Sequence, residues 1–451
     1  MTQSLLELHH DYYHTDVTKT IEFRKKQLQK LKLAIEQREE VINEALRHDL
    51  NKSEFEAFTT EVGFCLSSIN HTLKHLSAWA KPRKVSTPLL NFYSKSQIVP
   101  EPLGTILIIG PYNYPFQLVI EPLIGALAAG NTVILKPSEH AVHAEKVLVE
   151  LIEDTFEPGL VSIVTGDEKV TNALIHLNFD HIFFTGSTKV GKIVYTAASQ
   201  NLTPVTLELG GKSPTIVEES ADLRFAARRI AFGKFINAGQ TCIAPDYVLV
   251  QSSVKEAFIE ELKSIINQMK LDQNSFGKII HERHFDRLKH LIDPHKVIYG
   301  NQSDKNHLYL SPTLLDNITW DDAIMSEEIF GPLLPILTFD SIDNCIESLR
   351  RKEKPLALYL FTRNKDVENK VFSKLSFGSG AINDTIMQIN NRDLPFGGVG
   401  SSGIGSYHGK TSFDTFSNLK STIKKSSFFD LDILYPPYSK TTLKLIRRLM
   451  K

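Results

Sequence analysis

The chain reads as an α/β protein built from two doubly wound parallel-sheet domains. Three observations carry that reading. Its 451 residues exceed what one ordinary core organises and suffice for two or three domains. From about 103 to 209, short runs rich in β-branched residues alternate with helical stretches. A second alternation of the same kind begins near Ser213 and runs to about Phe416. Near-continuous apolar strands separated by helices imply parallel sheets covered on both faces.

The elements follow in order. Between about Asp16 and Leu50, Leu28, Leu31, Ile35, Ile42 and Leu46 share one stripe and charged residues fill the other, which predicts one amphipathic helix. Ser53 with Glu56 forms a capping box that starts a second helix running toward Trp79. His71 and His75 stand one turn apart on it, with no third ligand for a metal, and read as a solvated face. Lys81-Pro-Arg-Lys and Thr87-Pro88 end that helix. The first alternation then places strands at 104–109, 132–135, 161–164, 182–184 and 205–209, with helices at 114–129, 144–156, 169–177 and 189–199. The second places strands at 214–217, 247–250, 334–337 and 358–361. The tail from about Ser421 is basic, and Leu443–Lys451 is amphipathic, suited to a partner subunit or a membrane surface.

Composition narrows the class. Hydrophobic residues make up 42% and charged residues 23%, which fits a folded globular chain. A formal net charge of -1 lacks the basic excess of a nucleic-acid binder. Cys65, Cys242 and Cys345 are too few for a disulfide framework and lack metal-ligand spacing, which fits a reducing compartment. No basic-then-apolar leader opens the chain, and no apolar run approaches the ~20 residues that span a bilayer. A cytoplasmic location is expected.

Parallel sheets bind ligands beyond the carboxyl ends of their strands. Pro111–Asn113, Lys136–Glu139, Thr185–Ser187 and Gly210–Lys212 fall there. Phe183-Phe-Thr-Gly-Ser-Thr-Lys-Val-Gly191 follows a strand and opens a helix, so free backbone N–H groups near Gly186 and Ser187 can meet a pyrophosphate. Gly191 lets that helix pack closely. Lys136 and Glu139 suit a ribose. A carboxylate there repels a 2′-phosphate and leans toward NAD, while Lys136 softens the preference. Gly398, Gly400 and Gly403 spell G-x-G-x-x-G, but no strand-helix-strand unit frames them. They read as a turn approaching the cysteine domain or a substrate.

Cys242 lies in Gly239-Gln-Thr-Cys242, a turn of small and polar residues. Such a cysteine is either a small buried hydrophobe or a nucleophile. Glu208 is a carboxylate among apolar neighbours at a strand end. It is either a general base or a structural partner of Lys212. The Asn113 amide either stabilises an oxyanion or stabilises a turn.

Five motifs in order resemble the aldehyde dehydrogenase superfamily: Pro111-Tyr-Asn-Tyr-Pro-Phe116, Leu135-Lys-Pro-Ser138, Leu207-Glu-Leu-Gly-Gly-Lys-Ser-Pro214, Gly239-Gln-Thr-Cys242 and Glu327-Glu-Ile-Phe-Gly-Pro332. Cys242-Ile-Ala-Pro-Asp-Tyr247 and Pro436-Pro-Tyr-Ser look like the class 3 branch. That branch acts on medium- and long-chain aliphatic and aromatic aldehydes, and the chain looks like a relative without a hydrophobic C-terminal anchor.

The resemblance implies a nucleotide domain (1–80 and 102–209), a catalytic domain (210–416) and a bridging, oligomerising arm with the C-terminal tail (81–101 and 417–451). It implies NAD or NADP as cofactor and a homodimer. It assigns Cys242 as nucleophile, Glu208 as the base for the deacylating water, and Asn113 with the Cys242 N–H as oxyanion donors. It assigns Lys136 and Glu328 to the two riboses, Phe330 to the nicotinamide side, and Gly186 and Gly191 to the pyrophosphate turn. The expected reaction is oxidation of an apolar aldehyde, aliphatic, aromatic or polyene, through a thiohemiacetal and a thioester. Three rivals stand beside it: transfer of the acyl group to coenzyme A, a non-catalytic relative, and a cysteine hydrolase that would need a histidine base.

Overall fold

A computed structural model describes residues 2–428, 430 and 434–450. The first alternation builds a six-stranded sheet. Its spatial order is Gly403–Ile404, Val205–Leu209, His181–Gly186, Thr105–Ile109, Thr132–Lys136 and Val161–Ile163. The five strands from the first half of the chain run parallel. Every residue of Thr105–Ile109 and Thr132–Lys136 is buried, as apolar strands covered on both faces must be. Thr105–Ile109 has Thr132–Lys136 on one side and His181–Gly186 on the other, so the winding direction reverses between them. A crevice opens outside the carboxyl ends at such a reversal. Tyr112–Asn113 and Gly186–Ser187 stand there.

The second alternation gives a seven-stranded sheet: Val297–Tyr299, Thr313–Leu315, Leu333–Phe339, Tyr247–Gln251, Pro214–Val217, Ala357–Phe361 and Ser379–Ile382. All neighbours are parallel except the first pair. The sheet strands 297–299, 313–315 and 379–382 are not anticipated above; they are too short for periodicity to register. Arg83–Val85, Ser94–Pro102 and Ser417–Lys425 form a separate antiparallel sheet, with register from Ser417↔Pro102 to Lys425↔Ser94.

The amino-terminal helices depart from expectation. Thr2–His14 is an additional helix, with Leu6 and His9 buried and His9 Nε2 2.9 Å from Ser162 Oγ. The helix expected over 16–50 is two, Ile21–Gln37 and Glu39–Leu50. They part at Arg38, whose guanidinium pairs with Asp154 at 2.6 Å. Glu39 and Glu40 then favour a fresh amino terminus, where the helix dipole is positive. Ser53 caps as expected, its Oγ accepting from the Glu56 N–H at 3.2 Å. The helix then widens into a π-turn at Phe58–Val62 before continuing as Gly63–Trp79. His71 and His75 are half-buried rather than solvated; their rings meet at a tilt, 4.6 Å apart, and His75 stacks on Trp79.

The π-turn carries Glu61, and its carboxylate meets the Lys52 ammonium with both side chains fully buried. The other carboxylate oxygen accepts from the Phe116 and Gln117 N–H groups at 2.9 and 3.1 Å. Lys52 also donates to the Asn113 carbonyl at 3.2 Å and lies 3.9 Å from the centre of the Tyr114 ring. The pair thus clamps the loop at the reversal point. Removing one partner strands a buried charge, which costs about 3–5 kcal/mol. Lys52→Met is therefore expected to lower the denaturant midpoint strongly, whereas Lys52→Met combined with Glu61→Gln recovers part of the loss; equal midpoints for Lys52→Met and the parent chain would refute the clamp.

Candidate active site

The cysteine loop starts where the helix Leu223–Phe235 stops. Asn237, Ala238 and Gly239 adopt left-handed conformations in succession, at φ 51°, 51° and 74°. Glycine does this freely and asparagine tolerably; alanine pays a steric cost of about 1–2 kcal/mol. Neighbours hold the run in place. The Asn237 N–H donates to Glu56 Oε1 at 2.7 Å, and its Nδ2 donates to the Asn113 carbonyl at 2.7 Å. A Cβ on Gly239 would fall 2.3 Å from the Gly331 carbonyl oxygen. The cysteine loop therefore lies backbone to backbone against the segment that carries Glu328 and Phe330.

Asn113 Nδ2 donates to the Gln240 carbonyl at 2.9 Å, and Tyr114 Oη lies 2.6 Å from Thr241 Oγ1. Two consecutive residues of the 111–116 loop thus grip the two residues before Cys242. Cys242 itself is partly exposed between fully buried neighbours. Burial pushes its thiol up from the ordinary range, and the carboxylates of Glu328 and Glu208 push it further. The N–H groups of Cys242 and Ile243 act in the opposite direction, since each can donate to the sulfur.

Glu208 is 3% exposed, and neither of its carboxyl oxygens has a hydrogen-bond partner. Burial holds its carboxyl well above the usual range. Lys212 does not answer it: its ammonium donates to Asp246 at 2.6 Å and to the Ile324 and Glu327 carbonyls. The glycine-rich turn instead reaches this strand, Gly403 pairing with Glu208 and Ile404 with Leu207. The same turn accepts, through the Ser401 carbonyl, a 3.2 Å bond from Thr188 Oγ1. It is thus a stitch between the strand of Glu208 and the start of the helix Thr188–Gln200.

That helix opens beside the reversal point. Ser187 Oγ accepts from the Val190 N–H at 3.4 Å, leaving the exposed first turn facing out. A Cβ on Gly186 would meet the Phe184 ring at 2.6 Å, and one on Gly191 would meet Leu209 at 2.5 Å. Both glycines are required by packing, and the helix amino terminus can receive an anion. Lys136 is buried, with its ammonium on the Pro137 carbonyl at 2.6 Å and on half-exposed Glu139 at 3.4 Å. Glu328 lies against Gly210, where a Cβ would fall 1.9 Å from its carboxylate, and accepts from the Gly211 N–H. Burial raises its carboxyl to about 8, and the charge of Asp246 adds to the effect. Phe330 has φ 51°, a strained value for a bulky residue, and its ring stands edge-on to Tyr112 at 6.0 Å. A row of rings, Phe330, Tyr112 and His140, connects the cysteine side to the Lys136–Glu139 side.

Several contributors escape sequence reasoning. Lys52 and Glu61 support the site and carry no motif, and the capping box of Glu56 gives no hint that its carboxylate reaches the Asn237 N–H. Lys234 is fully buried with an unpartnered ammonium, lowered to about 8 by burial. His281 and His284 stack at 4.5 Å, with His284 Nε2 3.2 Å from Tyr112 Oη. Their i, i+3 spacing was the available signal.

The family model described as the aldehyde dehydrogenase family matches residues 14–422. A 4,4'-diaponeurosporen-aldehyde dehydrogenase of Staphylococcus aureus is 50% identical over 446 residues, covering 98% of this chain and 97% of that protein. A dimeric, NADP-preferring aldehyde dehydrogenase of Rattus norvegicus is 44% identical, covering 92% of each. The solved substrate-bound state of Staphylococcus aureus AldH superposes with a TM-score of 0.98 at 49% identity, over the full length of both chains.

Two outcomes follow from the electrostatics. Alkylation of Cys242 by iodoacetamide should accelerate with pH well beyond the ordinary thiol range, and Glu208→Gln should shift the curve to lower pH; a plateau near pH 8 in the parent chain would contradict the raised thiol. Glu208 keeps its proton to higher pH when folded than when unfolded, so its contribution to stability falls as pH rises past the unfolded value. Glu208→Gln should then gain stability relative to the parent chain as pH rises from about 4 to 8, because an amide takes up no proton on folding; a difference that stays constant over that range would contradict the raised carboxyl.

Proposed function

The chain belongs to the aldehyde dehydrogenase family, and from that premise we propose that it oxidises an apolar aldehyde to the carboxylate through a covalent intermediate on Cys242. The observation that supports this most is the buried Glu208 carboxyl without a hydrogen-bond partner, one of two acids whose charge reaches the Cys242 thiol. A buried acid with no structural partner is poised to take a proton from a ligand or water.

An aldehyde has no leaving group except hydride, so a nucleophile must first make its carbon tetrahedral. Cys242 supplies the sulfur. Asn113 already spends one amide hydrogen on Gln240, which fixes the group while its other hydrogen serves the oxyanion together with the Cys242 N–H. NAD or NADP, when bound, would supply the hydride acceptor, and loss of that hydride would leave a thioester on Cys242. Glu208 then deprotonates the water that hydrolyses it. Lys136, Glu139 and Glu328 would hold the riboses, Gly186, Ser187 and Gly191 shape the pyrophosphate turn, and Phe330 packs on the nicotinamide side. In this reading residues 1–80 and 102–209 bind the nucleotide, 210–416 carry the cysteine, and 81–101 with 417–451 supply the arm that joins two copies into a dimer and, beyond it, the C-terminal tail. Retention of Glu208 favours hydrolysis over acyl transfer to coenzyme A. The relative named for a polyene aldehyde supports a long apolar substrate.

The test is kcat/KM across alkyl, aromatic and polyene aldehydes with each cofactor, with and without coenzyme A. Cofactor reduction that rises with apolar length and ignores coenzyme A is expected; no turnover with any aldehyde refutes the proposal. Cys242→Ala should abolish cofactor reduction. Glu208→Gln should leave a stoichiometric burst followed by slow turnover, and Asn113→Ala should lower kcat by about 10²–10³.

A further inference from the structure

The helix Lys440–Leu449 buries none of its residues. At about 100° per residue, Lys440, Lys444, Arg447 and Arg448 fall within a sector of about 100°. Leu443, Leu445, Ile446, Leu449 and Met450 fill the opposite side. All four cations are exposed, and among the described residues none is in an ion pair. Leu443 is 51% exposed and Met450 71%. Tyr438, just before the helix, is 74% exposed, an amphipathic ring placed as such rings are at a membrane boundary. Ser439 Oγ caps the start, accepting from the Thr442 N–H at 3.0 Å.

We propose that this helix lies on an anionic lipid surface, with its leucine side in the acyl boundary and its cations on the headgroups. A helix with a wide apolar sector flanked by a wholly basic one matches that setting on both counts. Charge complementarity selects the lipid over a second copy. Pairing of this helix with its own copy would set four clustered cations against four more, because the helix contains no acid. The antiparallel sheet offers a copy separate apolar side chains, with Leu419 46% and Ile423 53% exposed. No helix among the described residues is long and apolar enough to cross a membrane, so the contact is peripheral. The docking does not require the aldehyde chemistry proposed above; given that chemistry, it brings the enzyme to where an apolar aldehyde dissolves.

The test uses the full chain, without aldehyde, sedimented with vesicles of phosphatidylglycerol or of phosphatidylcholine. Binding to phosphatidylglycerol is expected, at least about tenfold weaker on phosphatidylcholine and again weaker at 1 M salt. The variants Lys444→Glu/Arg447→Glu/Arg448→Glu and Leu443→Ser/Leu449→Ser should each lose about tenfold or more. Their turnover of a short, water-soluble aldehyde should stay at the parent level, which reads the active site independently of docking. Absence of binding to phosphatidylglycerol at low salt overturns the proposal. So does parent-like binding by the charge-reversed variant, or a change of oligomeric state in these variants without a change in vesicle binding.

Discussion

The buried ion pair between Lys52 and Glu61 is the constraint on which the rest of the site depends. It lies away from the cysteine and carries none of the roles assigned to the chemistry. It fixes the 111–116 loop from behind: Glu61 takes the Phe116 and Gln117 N–H groups, and Lys52 takes the Asn113 carbonyl. The front of that loop then grips Gln240 and Thr241. A charge pair excluded from water has few alternative arrangements, because any slip leaves a charge unanswered. That rigidity passes through one loop to the position of the sulfur. The π-turn serves the same end by placing Glu61 toward the loop, in keeping with the frequent appearance of such turns at functional sites.

The site concentrates unfavourable local choices. Ala238 and Phe330 sit in left-handed conformations that suit neither. Glu208 and Lys234 are buried without hydrogen-bond partners, and Glu328 keeps its proton to about 8. Each costs stability, and the two large cores around the parallel sheets supply the compensation. Burial, and then the two acids Glu328 and Glu208, also raise the thiol of Cys242.

Much of the fold was legible because apolar strands of five residues alternating with helices leave a strong periodic trace. Strands 105–109, 132–136 and 205–209 fall within a residue or so of the expected bounds. Three-residue strands such as 313–315 leave none, and the Arg38 break depends on a partner, Asp154, more than a hundred residues away. For the site, the strand-to-helix turn and the cysteine loop announce themselves through glycine and small polar residues. Lys52, Glu61 and Lys234 are invisible because a lysine or glutamate in a helical stretch or in the turn between two helices reads as surface; only tertiary packing turns it inward. The glycine-rich turn was recognised as unlike a nucleotide fingerprint. Its partner, the edge of the Glu208 strand, comes from a register that no local pattern encodes.

That pairing bears on the order in which the protein can be made. The strand of Glu208 receives its outer neighbour from residues 403–404, and the strand 94–102 is completed by 417–425. Asn131 waits for the Phe416 carbonyl. Until the ribosome has passed residue 425, the early half of the chain carries open β edges and a half-built pocket. Loop closure over such separations is slow and leaves those edges sticky in the meantime. Biosynthesis therefore ends with a fastening step, and a message truncated near its 3′ end would yield a product with its sulfur in place but the adjoining edge uncovered.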